Sequence, residues 1–135
     1  MSSDADRKYI LGTAPYFMVK NLQDSLNYYH EALGFNMPKV WGDPPRFAMP
    51  SRDGFVFMLN EVKEETVIPI RQRGGVWDAY IWIDDADSLF SQFCKNGAEV
   101  AYEPCIQREY DMKEFAIGDP DGHVIAFGQH YDVQS

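Results

Sequence analysis

Positive charge is scarce in this sequence: 12 Lys and Arg stand against 21 Asp and Glu in 135 residues, a formal net charge of -9 and a pI of about 4.6. Such a field repels phosphate backbones and anionic lipid surfaces, which argues against nucleic acid and membrane partners. Cysteine is nearly absent, and Cys94 and Cys105 are too few for the disulfide framework of a small secreted domain. Cys94 is placed on the apolar face of a helix and Cys105 in a loop after Glu103-Pro104, so both read as structural thiols rather than nucleophiles. No apolar run approaches the ~18 residues that a membrane helix needs. The opening Met1-Ser2-Ser3-Asp4-Ala5-Asp6 lacks the basic start and apolar stretch of a signal peptide, so a cytoplasmic location is expected.

What is present is core-forming material: 45% of residues are hydrophobic and 15% aromatic. That excludes intrinsic disorder, and the length fits one domain spanning residues 1–135. The acidic excess is uneven. Residues 1–70 hold 7 basic and 9 acidic side chains (-2), whereas residues 71–135 hold 5 and 12 (-7). A cationic ligand would favour the second half.

Pro15 to Val19 reads as a strand. Asn21 is then placed to cap a helix whose Leu22, Leu26, Tyr29 and Leu33 share a face, with Gly34 at its stop. Three short strands follow, around Lys39 to Trp41, Arg46 to Met49 and Phe55 to Leu59, the last after an Arg52-Asp53-Gly54 turn. After a polar connector the pattern restarts. Val76 to Ile83 reads as a strand, and Asp84 or Asp85 caps a helix with Ala86, Leu89, Phe90 and Phe93 on one face, ending at Gly97. Glu99 to Tyr102, Lys113 to Ile117 and Val124 to Phe127 are three more strands. Shifting the chain by 63 residues aligns Asp24-Ser25-Leu26 with Asp87-Ser88-Leu89 and Gly34 with Gly97. The expected fold is therefore α+β: two tandem βαβββ modules, about residues 9–61 and 76–131, joined by a connector at 62–75. Each sheet is backed by one helix, and together they form a U-shaped, partly closed mixed sheet.

These residues resemble the vicinal oxygen chelate superfamily of glyoxalases, bleomycin resistance proteins and extradiol dioxygenases. The resemblance rests on Val19-Lys20-Asn21-Leu22-Gln23-Asp24-Ser25-Leu26-Asn27-Tyr28-Tyr29 leading to Leu33-Gly34-Phe35, and on Phe115-Ala116-Ile117-Gly118-Asp119-Pro120-Asp121-Gly122 before the last strand. It implies a homodimer with clefts at its interface. Enzymes of the superfamily hold a divalent metal with His, Gln and Glu side chains, and the corresponding positions here fall on Ala14, about Met58, Asp78 and Ala126. Three of these four cannot ligate a metal. His30, His123 and His130 do not replace them, since His123 and His130 are seven residues apart, roughly 23 Å along an extended strand. The nearer likeness is to the metal-free bleomycin resistance proteins, which implies a small-molecule binder with no metal and no cofactor. An enzyme of the superfamily, a lyase, isomerase or dioxygenase with an atypical site, is the alternative.

Strand alternation puts Tyr16, Met18, Met58, Asn60, Asp78, Tyr80, Trp82, Glu114 and Ala126 on the cleft side. Tyr80 and Trp82 offer flat surfaces for a conjugated ring or a cation, or else fill the cleft as core. Asp78 and Glu114 are placed to bind a cationic ligand, to serve acid-base chemistry, or to be solvated at the rim. Trp41 and Tyr110, in less regular segments, are placed to close over a ligand or to anchor their loops. Asp119-Pro120-Asp121-Gly122 reads as a structural turn.

Overall fold

The computed structural model describes residues 6–132, so the reading of residues 1–5 as lacking a leader lies outside the described residues. The first module runs β1 (Tyr16–Val19), α1 (Leu22–Glu31), β2 (Val40–Trp41), β3 (Phe47–Ala48), β4 (Ser51–Arg52), β5 (Phe55–Val56) and β6 (Met58–Glu61). A 3-10 turn at Glu64–Thr66 and a short helix α2 (Ile70–Arg73) occupy the connector. The second module runs β7 (Ala79–Ile83), α3 (Ala86–Lys95), β8 (Glu99–Gln107), β9 (Met112–Gly118) and β10 (Val124–His130).

The duplication seen in the sequence is a duplication of topology. One sheet has the order β1-β6-β3-β2 and the other β7-β10-β9-β8, so in each the first strand pairs with the last. That first pairing is parallel in both sheets, and the remaining pairings are antiparallel. The two sheets are not closed into a barrel. The helices start and stop where the sequence indicates. Asn21 Oδ1 accepts from the Asp24 N–H at 3.0 Å, and Asp85, rather than Asp84, caps α3 by accepting from the Ser88 N–H at 3.0 Å. Gly34 and Gly97, the residues matched by the 63-residue shift, leave the helices with φ of 77° and 85°, a region that costs other residues energy.

Each helix covers one face of its sheet. Leu22, Ser25, Leu26 and Tyr29 of α1 are buried. Ala86 and Phe93 of α3 are buried too, with Leu89 and Phe90 packed against the same core. One hydrophobic cluster runs through both modules, from Phe17 and Val19 to Phe115 and Phe127. Polar contacts also cross between them. Tyr28 donates to the Gly118 carbonyl at 2.6 Å and accepts from the Glu99 N–H at 2.8 Å. Arg52 donates to the Leu33 carbonyl and to Gln92 Oε1.

Several details differ from the sequence reading. The Arg52-Asp53-Gly54 turn closes a separate two-stranded ribbon, β4-β5, instead of leading straight into the last strand of the module. Cys94 is exposed rather than on the packed face of α3, because the core needs only the Ala86, Leu89, Phe90 and Phe93 stripe. Cys105 lies within β8, not in a loop. That strand is longer than expected because it absorbs Pro104 through register shifts between Val100 and Tyr102 and between Tyr102 and Cys105. Among the described residues, no helix is long and apolar enough to cross a membrane.

Candidate ligand-binding site

Alternation along the strands sends one set of side chains into the core and leaves the other on the sheet faces that the helices do not cover. In β1, Phe17 and Val19 are buried while Tyr16 and Met18 stay exposed. β6 lies parallel beside it, with Tyr16 opposite Met58 and Met18 opposite Asn60. The Asn60 amide donates to the Tyr16 hydroxyl at 2.7 Å. Trp41 packs on Phe47 with ring centroids 5.7 Å apart, and the Lys39 ammonium sits 5.9 Å from the centre of its ring.

The second module carries a more ordered arrangement. Glu114 of β9 alternates with the core residue Phe115 and is itself only 1% exposed. A carboxylate so buried is costly unless hydrogen bonded. Three phenols meet that need. Tyr80 of β7 and Tyr110 of the β8-β9 turn each donate to Oε1 at 2.9 Å, and Tyr102 of β8 donates to Oε2 at 2.6 Å. The Trp77 indole N–H in turn donates to the Tyr102 oxygen at 2.9 Å. Trp77, Tyr80 and Trp82 form a row, with centroid separations of 4.9 and 5.9 Å, and Trp82 at its end is 78% exposed. Desolvation, followed by the hydrogen bond and charge of Glu114, pushes Tyr110 up to about 12 and holds Tyr80 and Tyr102 above the usual tyrosine range. All three phenols therefore keep their protons near neutral pH.

The structure thus brings Tyr80, Trp82, Tyr110 and Glu114 together on one face, and Tyr16, Met18, Met58 and Asn60 on another. Asp78 is set apart from Glu114 and lies instead beside Tyr16 and Met18. Its Oδ2 accepts from the Val124 N–H at 2.8 Å, and it borders a cavity of about 250 Å³ between the modules with Tyr16, Met18 and His123. Val124 is four residues from Gly128, the partner of Glu114 along β10, so the two acidic residues sit at register positions about 13 Å apart along that strand. A larger cavity of about 430 Å³ lies between the β4-β5 ribbon and α3, lined by Phe35, Phe57, Gln92 and Trp82 among others.

Three participants escape the sequence reading: Tyr102, Trp77 and Gly128. Tyr102 follows a register shift that breaks simple alternation, and Trp77 precedes the first residue of β7. Gly128 left a usable signal, since a glycine inside a strand marks a close approach. A Cβ built there would collide with the Tyr80 hydroxyl and press on the Met112 methyl.

The metal-ligand positions implied by the resemblance do not fit a metal. Ala14, Met58 and Ala126 carry no ligand atom of the required kind, and Asp78 is engaged by Val124. Asp119, Asp121 and His123 do lie with ligand atoms within 4.8 Å of one another, and hydrogen bonds tie them into the fold. Asp119 Oδ1 accepts from the backbone of Asp121 and His123, and its Oδ2 accepts from Tyr29 at 2.8 Å and lies 2.8 Å from His123 Nδ1. Asp121 accepts from the Lys20 N–H at 3.0 Å, and the His123 ring stacks on Phe17 at 4.3 Å. This is a polar knot that ties the β9-β10 turn to the first module, as the reading of that turn as structural anticipates.

The class of protein is now defined by the pair of βαβββ sheets and by sequence. Residues 11–127 match the Glyoxalase/Bleomycin resistance protein/Dioxygenase superfamily, and the chain belongs to that family. Among solved structures it is similar to TnmS3, an antibiotic binding protein from Streptomyces sp. CB03234, at 21% identity and a TM-score of 0.64, over 92% of this chain and 99% of that one. It is also similar to the bleomycin-binding protein of bleomycin-producing Streptomyces verticillus, solved with copper(II)-bleomycin, at 18% identity and a TM-score of 0.64, over 90% and 97% of the two chains. UcmS2 gives 14% identity and a TM-score of 0.66, over 88% and 98%. No curated protein matches the chain.

Proposed function

We propose that this chain is a cytoplasmic, metal-free and cofactor-free small-molecule binding protein that sequesters a cationic or aromatic ligand, in the manner of the bleomycin resistance proteins. Its single domain would work as a homodimer, with clefts completed by a second copy. The carrying observation is the uncovered aromatic face of the second module, where Tyr80, Tyr102 and Tyr110 surround a buried acidic group, Glu114, and Trp82 lies beside Tyr80. Aromatic faces attract cations through their ring quadrupoles, and a nearby carboxylate adds to that field. Tyr16, Met18, Trp41, Met58 and Asn60 would form the opposing wall, and Asp78 would contribute charge at the rim. The open faces support the dimer, since exposed Tyr16, Trp41 and Trp82 are what a self-complementary interface or ligand would cover. That TnmS3 is an antibiotic binding protein and another neighbour a bleomycin-binding protein supports a small-molecule ligand.

Titration of tryptophan fluorescence with bleomycin tests the binding reading, and sedimentation tests the dimer. Saturable binding below millimolar concentration together with a species of twice 15.5 kDa is expected. A monomer at micromolar concentration, or no response to bleomycin or to simpler aromatic cations, would overturn it. The lyase, isomerase or dioxygenase alternative would be favoured instead by elemental analysis finding about one transition metal per chain.

A further inference from the structure

The hydrogen bonds around Glu114 have a directional consequence. A phenol has one proton and two lone pairs. Tyr80, Tyr102 and Tyr110 have each committed that proton to the Glu114 carboxylate. Tyr102 also spends acceptor capacity on the Trp77 indole N–H. What the Tyr80 and Tyr110 oxygens keep for a ligand is lone pairs, backed by the carboxylate behind them.

We propose that the phenol oxygens around Glu114 form an acceptor-only wall that selects ligands by their hydrogen-bond donors, taking planar N–H-rich cations of the amidinium or protonated-amine class in preference to cations without donors and to acceptor groups such as carboxylates. This inference rests on the binding reading above and sharpens it, because positive charge alone does not satisfy the wall. A ligand carbonyl or carboxylate would meet oxygens with no proton to give, and an unmatched polar contact is expensive when desolvated. An N–H cation finds acceptors at two phenols while its ring lies against Tyr80 or Trp82, whose planes are 58° apart. The sheet supplies room for the arrangement, since Gly128 lets the Tyr80 ring pass across β10 to reach β9. Glu114 acts here as a positioning residue: it fixes which way the phenol protons point.

Three probes of similar size test this by fluorescence titration of the full chain at one ionic strength: benzamidinium, phenyltrimethylammonium and benzoate. Benzamidinium should bind at least about tenfold more tightly than phenyltrimethylammonium, and benzoate should not compete. In Glu114→Gln the new amide donates toward the ring of hydroxyls and releases a phenol proton outward. The preference for benzamidinium over phenyltrimethylammonium should then shrink by about tenfold and benzoate binding should appear, with the melting profile reporting that the variant is folded. Equal binding of both cations by the wild-type chain overturns the donor selection while leaving an aromatic-cation cleft intact. Binding of benzoate as tight as benzamidinium overturns both, as does no response to any probe up to about 10 mM. The wild-type comparison decides the matter even where the variant fails to fold.

Discussion

Gly128 and Tyr80 form a fitted pair: the absent side chain on β10 is the space through which the Tyr80 ring crosses from β7 to hydrogen-bond Glu114 on β9. Replacing Gly128 by Ala would put a methyl group against that hydroxyl and against Met112. The added methyl would overlap the hydroxyl itself, so relief draws Tyr80 away from Glu114. Gly128→Ala should destabilise the chain by about 1–3 kcal/mol in denaturant unfolding, through overpacking and a weakened buried hydrogen bond. It should also shift the tryptophan emission, because Tyr80 lies between Trp77 and Trp82.

Tyr29 and Asp119 join the modules through a buried hydrogen bond of 2.8 Å. Tyr29→Phe keeps the ring in the core but leaves Asp119 Oδ2 with one fewer donor. The expected loss is about 1–3 kcal/mol of unfolding free energy, measured by chemical denaturation. Removing the Asp24 contact to Asn21, by contrast, touches only a helix cap. Asn21→Ala should cost about 1 kcal/mol.

His123 gives the fold a pH dependence of definite sign. Burial lowers its affinity for a proton, but the hydrogen bond and charge of Asp119, with the charges of Asp78 and Asp121, outweigh this and raise it above the usual 6.5. A histidine with a raised folded value binds its proton more tightly in the native state. Its stabilising contribution is therefore complete below about pH 6.5 and disappears as the pH climbs through the raised value. The stability difference between the wild-type chain and His123→Gln should be larger at pH 5.5 than at pH 8.5. An NMR titration of the ring protons should show a midpoint above 6.5.

Trp82 separates binding from folding. At 78% exposure it contributes little to the core, so Trp82→Ala should change stability by no more than about 0.5 kcal/mol. If the aromatic row holds the ligand, the same variant should weaken aromatic-cation binding by roughly five- to tenfold, and Tyr80→Ala with Trp82→Ala by tens of fold. Rising salt should weaken the charged component and spare the ring contacts. Titrations at low and high ionic strength measure both.

The architecture was legible because it is periodic and punctuated. The apolar run Tyr16–Val19, helix stripes such as Leu22, Leu26 and Tyr29, caps at Asn21 and Asp85, and stops at Gly34 and Gly97 are local signals, and local chemistry enforces them. The repeat then required two copies of one topology, which is what the sheet orders show. The site was only half legible. Alternation put Tyr80, Trp82 and Glu114 on one face, but it also grouped Asp78 with them, because periodicity reports which side of a sheet a residue faces and not how far along it the residue lies. Register decided that Asp78 pairs its carboxylate with Val124 while Glu114 lies four positions away, opposite Gly128. Two register shifts in β8 decided that Tyr102 reaches Glu114. Sequence determined the strands, the helices and the duplication, since these arise between near neighbours in the chain. Tyr110 reaches Glu114 from the adjoining turn, four residues away, but only the tertiary structure decided that the same buried carboxylate also collects Tyr80 and Tyr102, because these meet it through pairings across strands that no local pattern encodes.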